Sequence, residues 1–302
     1  MKILLTGATG FLGSALLKAF LQQDFTVCIL KRSFSNTWRI EAQLDHVQAY
    51  DVNQMELSQV FQENPDFDLL VHTAANYGRA PGTSSLSVVH DNIIFPLSLA
   101  ELVIQQKRPI HFINTDTFYT KSAFFYSHLA AYTLTKRHCL EWLKLYARQI
   151  PVINMRVEHV YGPLDREDKF VPSIFRQLLA NVPAVDLTSG QQRRDFIFLD
   201  DVVSAYIAVI RHLEAGRPGF GEYEVGTGQS VAIKDFIREM RTVAGSKSEL
   251  NFGKLPLRTG EIPDSQADTR ALEKLGWRCV FDYKQGLSRL MRDFKKQQQS
   301  EA

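Results

Sequence analysis

The run Lys2-Ile3-Leu4-Leu5-Thr6-Gly7-Ala8-Thr9-Gly10-Phe11-Leu12-Gly13 decides how the rest of the chain is read. Lys2 to Thr6 is a short apolar stretch of strand character. Phe11 to Gln22 places apolar residues at three- and four-residue spacing, as on one face of a helix. A glycine cluster between a strand and a helix has a defined physical use. Gly7 allows the tight turn, Gly10 lets a diphosphate approach backbone N–H groups at the positive end of the helix, and Gly13 lets helix and strand pack closely.

Working outward, the same alternation continues. Strands are expected at Thr26 to Leu30, Val47 to Tyr50, Leu69 to His72, Ile110 to Asn114 and Val152 to Arg156, with helical patterns at Leu86 to Gln106 and His128 to Arg148. Repeated βαβ units with right-handed crossovers give an α/β fold with a doubly wound parallel sheet. Beyond Tyr161-Gly162-Pro163 the pattern loosens around Pro172 and Pro183, then returns as a strand and helix over Asp195 to Leu213 and a strand at Glu222 to Val225. The expected division is a dinucleotide-binding domain of residues 1–160 plus 191–228, a smaller substrate lobe of 161–190 plus 229–295, and a frayed polar tail at 296–302.

Composition narrows the function classes. With 302 residues the chain builds its core without staples, and 35 basic against 33 acidic residues give no bulk charge for nucleic acid or a membrane surface. Cys28, Cys139 and Cys279 are odd in number and widely spaced, so neither a disulfide framework nor a metal site is expected. Lys2 to Thr6 is too brief for a signal peptide, and no uninterrupted apolar stretch approaches the length of a membrane span; the expected compartment is the cytoplasm.

Two further segments carry chemistry. Tyr132 and Lys136 are four residues apart, so both project from one face of their helix, and a nearby ammonium lowers a phenol from its ordinary pKa of about 10. Tyr-x-x-x-Lys alone is a weak signal. Its place one crossover after a strand ending in Asn114-Thr115-Asp116-Thr117 strengthens it. At the end of the second strand stand Lys31 and Arg32 and no acid. They are either two solvated charges or the grip for a ribose 2′-phosphate, which would favour NADP over NAD.

Taken together, these segments resemble the extended short-chain dehydrogenase/reductase family of the NAD-dependent epimerase/dehydratase type, over nearly the whole chain. The resemblance implies a Rossmann domain with a smaller C-terminal lobe, NADP (with NAD as the lesser choice), a nucleotide-sugar substrate, and a homodimer built on the two long helices. It assigns Gly7, Thr9, Gly10, Phe11, Leu12, Gly13, Lys31, Arg32, Asp51, Val52, Thr73, Ala74, Ala75 and Asn92 to the cofactor, together with Tyr132 and Lys136. Thr115, four residues before Tyr119, joins Tyr132 and Lys136 as the catalytic triad.

The resemblance also places substrate groups. Arg156 with Tyr161-Gly162-Pro163, where His159 replaces the family's asparagine, Arg194 in Arg193-Arg194-Asp195-Phe196, and Arg258 in Arg258-Thr259-Gly260-Glu261 match family segments; Arg194 and Arg258 are expected on the substrate diphosphate and His159 beside it. Asp116 and Thr117 complete the substrate set, Asp116 either bonding a sugar hydroxyl or standing as a solvated carboxylate. Dehydratases of the family carry Thr-Asp-Glu where this chain has Thr115-Asp116-Thr117, which removes the natural base for dehydration. Asn114-Thr115-Asp116-Thr117-Phe118 and Tyr126-Ser127 resemble the CDP-3,6-dideoxyhexose synthases of surface polysaccharide synthesis. That implies NADPH-dependent reduction of a 4-keto sugar. A 4-epimerase holding NAD, and a non-catalytic NADP sensor, are the alternatives.

Overall fold

The computed structural model describes residues 1–121, 129–213 and 217–301. In chain order the elements begin with β1 (Lys2–Thr6), α1 (Phe11–Gln22), β2 (Thr26–Lys31), β3 (Gln48–Asp51), α2 (Leu57–Glu63), β4 (Leu69–His72), α3 (Ser85–Val89) and α4 (Phe95–Ile104). They continue with β5 (His111–Thr117), α5 (Ala130–Tyr146), β6 (Pro151–Val157), β7 (His159–Tyr161), α6 (Phe170–Leu179), β8 (Ala184–Leu187), β9 (Arg193–Arg194), β10 (Phe196–Phe198) and α7 (Leu199–Arg211). Last come β11 (Gly219–Val225), β12 (Val231–Ala232), α8 (Ile233–Ala244), β13 (Glu249–Phe252), β14 (Asp264–Ser265), α9 (Arg270–Lys274) and α10 (Tyr283–Glu301).

The described residues of 1–156 and 206–223 form one compact unit, and those of 157–205 and 224–301 a second. The first is built on a seven-stranded sheet in the order β3-β2-β1-β4-β5-β6-β11, with β1 parallel to β2 and β4, β2 to β3, and β4 to β5. The chain leaves β3 at one edge and returns as β4 on the far side of β1, and such a reversal opens a crevice at the carboxyl ends of the strands. Register sets what faces it: Thr6 lies opposite His72 and His72 opposite Asn114, so Gly7, Thr73 and Thr115 stand at one level, with β5 running on to Thr117. Leu4, Leu70, Phe112, Leu99, Val103, Cys139 and Leu143 form part of the core on one side.

Ser85 to Ile104 is helical throughout, passing through a π turn at His90–Ile94. At 20 residues and a mean hydropathy of 1.4 it is, against the sequence reading, long and apolar enough to cross a membrane by length and composition alone. Val88, Leu99, Ala100 and Val103 on it are nevertheless buried within the first unit.

In the second unit the strands are short and paired in small sets: β12 antiparallel and β14 parallel to β9, β10 with β7, β13 with β8. Tyr161, Phe175, Phe196, Phe198 and Phe236 fill its core, with Phe196 and Phe236 stacked at 3.7 Å. Two boundaries differ from expectation. Residues 191–205 and 224–228 belong with this unit, because β9 and β10 pair with β12, β14 and β7 rather than joining the large sheet. The tail expected to fray is helical to Glu301, since Lys and Gln are good helix formers however polar.

Candidate active site and cofactor turn

At the tip of β1, Gly7 takes φ +72°, and a Cβ there would lie 2.6 Å from Ala74 N and from Thr73 Oγ1. A Cβ on Gly13 would collide with the Gly7 carbonyl, so α1 reaches this close to the turn only with glycine at both places. Gly10 caps α1 in an extended conformation with no side chain over the helix end, and the first turn carries no acid. Those donors and that dipole suit a dinucleotide diphosphate. Thr73 Oγ1 donates to Thr6 O at 2.7 Å, Ala74 N to Thr6 Oγ1 at 3.4 Å, and Thr6 Oγ1 pairs with His72 Nδ1 at 2.8 Å, which fixes Thr73 and Ala74 beside the turn. Burial, then the Lys136 charge, lowers the His72 pKa to about 3, so this ring is neutral.

At the end of β2, both expected cations stand near carboxylates. Lys31 Nζ is 3.9 Å from Asp51, and Arg32 is 3.5 Å from Asp91 while lying 4.8 Å over the Phe34 ring. Backbone Asn53 and the Ser33 side chain hold the Asp51 carboxyl below its usual range, Lys31 adding to this. Val52 N donates to Lys31 O at 2.9 Å, tying the tips of β2 and β3 together. One cation was missed by the sequence reading: Arg39 Nη1 donates to Thr9 O, on the glycine turn, at 3.5 Å. It belongs to no periodic element or spaced motif, so only its neighbour Trp38, 4.3 Å beneath it, marks it in the sequence.

Tyr132 and Lys136 are both buried on α5, as four-residue spacing requires. The Tyr132 hydroxyl is hydrogen-bonded to the Thr117 and Tyr77 side chains, and the Tyr77 ring stacks on it at 4.6 Å. Burial, followed by Tyr77 and Asp116, pushes its pKa well above the usual phenol value, so the group is protonated at neutral pH, as a proton donor must be. Lys136 Nζ donates to Thr115 O at 2.7 Å.

The structure brings the expected triad together only in part. The Thr115 hydroxyl is hydrogen-bonded to Tyr206 on α7 at 2.7 Å, and Thr117 is the hydroxyl at the phenol. The strand was expected to end at Asn114 but runs to Thr117, so the strand tip lies further along the chain. Asp116 is not a solvated carboxylate: its side chain is fully buried and Oδ2 accepts from Thr120 Oγ1 at 2.9 Å, Asn154 Nδ2 at 3.2 Å and Arg156 Nε at 3.4 Å. Arg156 in turn pairs with Glu222 at 2.8 Å, making Asp116 part of a charge network, and Asp116 Oδ1 has no hydrogen-bond partner among the described residues. Asn92 likewise spends its amide on the protein, accepting from Asn76 N at 2.7 Å and donating to Asn76 O at 2.8 Å and Thr135 Oγ1 at 3.0 Å, which fixes the loop after β4. Ala75 follows on that loop and is exposed. Tyr126 and Ser127, and His128 at the expected start of α5, lie outside the described residues.

The remaining expected residues sit in the second unit. Arg194 is buried, donating to Arg193 O and Ile262 O at 2.7 Å and pairing with Glu261 at 3.1 Å, so the two arginine-bearing segments are joined through Glu261. Arg258 is exposed three residues before that glutamate. His159 packs between the Phe196 and Phe170 rings, at 4.9 and 6.0 Å, and burial, with Arg194 and Lys169, lowers its pKa to about 3.

The model of the NAD dependent epimerase/dehydratase family matches residues 3–226. CDP-abequose synthase of Salmonella typhimurium is 38% identical over 301 residues, covering 96% of this chain and 97% of that protein; its counterpart in Salmonella muenchen is 33% identical over 294 residues, with the same coverage. Among solved structures, UDP-glucuronic acid 4-epimerase from Bacillus cereus, in complex with UDP-glucuronic acid and NAD, superimposes with a TM-score of 0.83 at 25% identity, covering 98% of this chain and all of that one. UDP-glucose 4-epimerase of Thermotoga maritima, at 21% identity and a TM-score of 0.83, shares the fold.

Proposed function

Since the chain belongs to the NAD dependent epimerase/dehydratase family and is an enzyme of that class, we propose that it reduces the 4-keto group of a CDP-linked 3,6-dideoxy sugar at the expense of NADPH. The observation that carries this reading is the 38% identity to a CDP-abequose synthase along essentially the full length of both chains. The glycine turn and Thr73–Ala74 hold the dinucleotide, which when bound supplies the hydride. The protein's own part is proton delivery and orientation. Tyr132, protonated by virtue of its burial, gives its phenolic proton to the oxygen that becomes an alcohol. Thr117 orients the phenol, and Lys136 braces the tip of β5 through the Thr115 carbonyl, leaving its remaining hydrogens for the cofactor ribose.

Thr117 stands where a dehydratase has a carboxylate, and its contact with Tyr132 makes it a partner of the proton donor rather than a base. An epimerase with tightly held NAD is the second reading, favoured by the epimerase complex with NAD among the structural relatives. The buried Tyr132–Lys136 pair argues against a sensor without chemistry. Loss of NADPH absorbance with a CDP-4-keto-3,6-dideoxyhexose supports reduction; interconversion of two CDP-sugars with no net cofactor change would establish the epimerase instead.

The proposal extends to a cytoplasmic homodimer. Leu86 and Ile94 on the helix from Ser85 to Ile104, and Leu134, Trp142 and Leu145 on α5, are exposed apolar side chains on the two helices expected to pair. Sedimentation of Trp142→Glu as a monomer, against a dimeric wild type, is the expected outcome.

A further inference from the structure

Tyr132 is only 5% exposed, and a reduction takes a proton from it in every turnover, so this buried phenol has to be reloaded from solvent. Tyr77, on the loop after β4, touches both sides of that gap. Its ring stacks on the Tyr132 ring at 4.6 Å and 21°, its hydroxyl is hydrogen-bonded to the Tyr132 hydroxyl, and 39% of the residue is exposed. We propose that Tyr77 is the relay through which a solvent proton reaches Tyr132 after each reduction. This rests on the reductase reading above, since a 4-epimerase returns the proton it takes and needs no external supply. Tyr77 acts through Tyr132 and exchanges no atom with the substrate.

As hydride joins sugar C4, the keto oxygen takes the Tyr132 proton: one O–H bond forms on the sugar and one breaks on Tyr132, leaving a phenolate. The Tyr77 hydroxyl then gives its proton to that phenolate, and water gives one to Tyr77. The turnover has consumed one solvent proton, as reduction of a ketone by hydride requires. A phenol hydroxyl carries one hydrogen and accepts on the same oxygen, so Tyr77 can donate to Tyr132 once the Tyr132 hydrogen has passed to the substrate. The backbone on either side holds Tyr77 in place. Asn76 N donates to Asn92 Oδ1 at 2.7 Å, Asn92 Nδ2 to Asn76 O at 2.8 Å, and Asn76 Nδ2 to Asp91 Oδ2 at 2.9 Å. Gly78 takes φ +68° and its N–H donates to Asn76 Oδ1 at 2.9 Å, closing a turn around Tyr77. Asp91 and Asn92 both stand on the π turn at His90–Ile94, and such a turn inside a helix often marks a functional site. Stacking asks only for an aromatic ring; the hydroxyl contact is what a relay needs.

The test uses the full-length protein as wild type and as Tyr77→Phe, which keeps the stacked ring and removes the hydroxyl. With a CDP-4-keto-3,6-dideoxyhexose and NADPH, Tyr77→Phe is expected to reduce one equivalent of sugar within about two-fold of the wild-type rate and then to turn over about ten-fold more slowly. Its steady state is expected to slow further in deuterium oxide than that of wild type. In the ligand-free protein, carbon-13 NMR of ζ-labelled tyrosine is expected to show Tyr132 titrating at lower pH in Tyr77→Phe, because Tyr77 is among the groups that raise it. Slowing of the first turnover and the steady state by the same factor overturns the relay, since the hydroxyl then only orients Tyr132. An unchanged steady state overturns it as well, and the proton then arrives from the Lys136 side. An unmoved Tyr132 titration also overturns it. If wild type oxidises no NADPH with this sugar, the reductase reading falls and takes the relay with it, whereas the three preceding results leave that reading standing.

Discussion

The two units use the same kinds of residue in opposite ways. In the first, a parallel sheet holds itself together by its ladder, and the side chains at its strand tips, Thr117 on β5 and the turn after β1, are left to face a ligand. In the second, strands of two to four residues lean on side chains. Asp195 is wholly buried and accepts from Thr227 N at 2.8 Å, Thr227 Oγ1 at 2.6 Å, Gly228 N at 2.9 Å and Ala267 N at 3.2 Å. Asp201 similarly accepts from Val280 N and Phe281 N, each at 2.9 Å.

That contrast is broken most directly by a pair of substitutions. Tyr132→Phe in the first unit is expected to lower kcat about a thousand-fold, the middle of the range for a lost general acid, with the denaturant midpoint nearly unchanged. Asp195→Ala in the second unit is expected to cost about 3 kcal/mol in urea unfolding, because it removes the buried acceptor shared by Thr227 N, Gly228 N and Ala267 N. Unfolding of Tyr132→Phe, or an Asp195→Ala protein of full stability, would erase the distinction.

Acid sharpens it next. His72 in the first unit and His159 in the second are both neutral in the fold down to a pH of about 3. An unfolded histidine binds its proton near pH 6.5, so the stability each contributes is complete above that pH and lost as the pH falls towards 3. The same pair of pKa values gives each histidine a loss of about 2 kcal/mol between pH 6.5 and 5. His72→Gln and His159→Gln are each expected to flatten the pH dependence of the urea midpoint below pH 6.5. The smallest effect concerns the two threonines: Thr117→Val is expected to slow turnover about ten-fold, one lost hydrogen bond to the proton donor, and Thr115→Val less. The reverse order would return the orienting hydroxyl to Thr115.

Much of this was legible beforehand, for reasons that differ by residue. Gly7 and Gly13 could be placed because a Cβ at either collides with the backbone of that turn, and Tyr132 with Lys136 because a helix repeats every 3.6 residues. Thr115 was chosen by its four-residue interval to Tyr119, and that interval does not show that the Thr117 hydroxyl also reaches Tyr132. The fate of Asp116 was hidden for another reason: Arg156, Asn154 and Glu222 reach it from β6 and β11, and the pairing of distant strands is written in no local pattern. The division of the chain failed at β9 and β10 on the same ground, since two- and three-residue strands carry too little pattern to say which sheet they join.

The measurement that goes to the centre is isotope transfer in a single turnover. Protein is mixed with a CDP-4-keto-3,6-dideoxyhexose and NADPH carrying deuterium at C4 of the nicotinamide, and the sugar is analysed by mass spectrometry and proton NMR. Reduction with Tyr132 as the acid yields one deuterium on sugar C4 for each NADPH consumed, and in Tyr132→Phe the transfer slows by the same factor as kcat. A product without deuterium at C4, or transfer at an undiminished rate in Tyr132→Phe, would contradict the account.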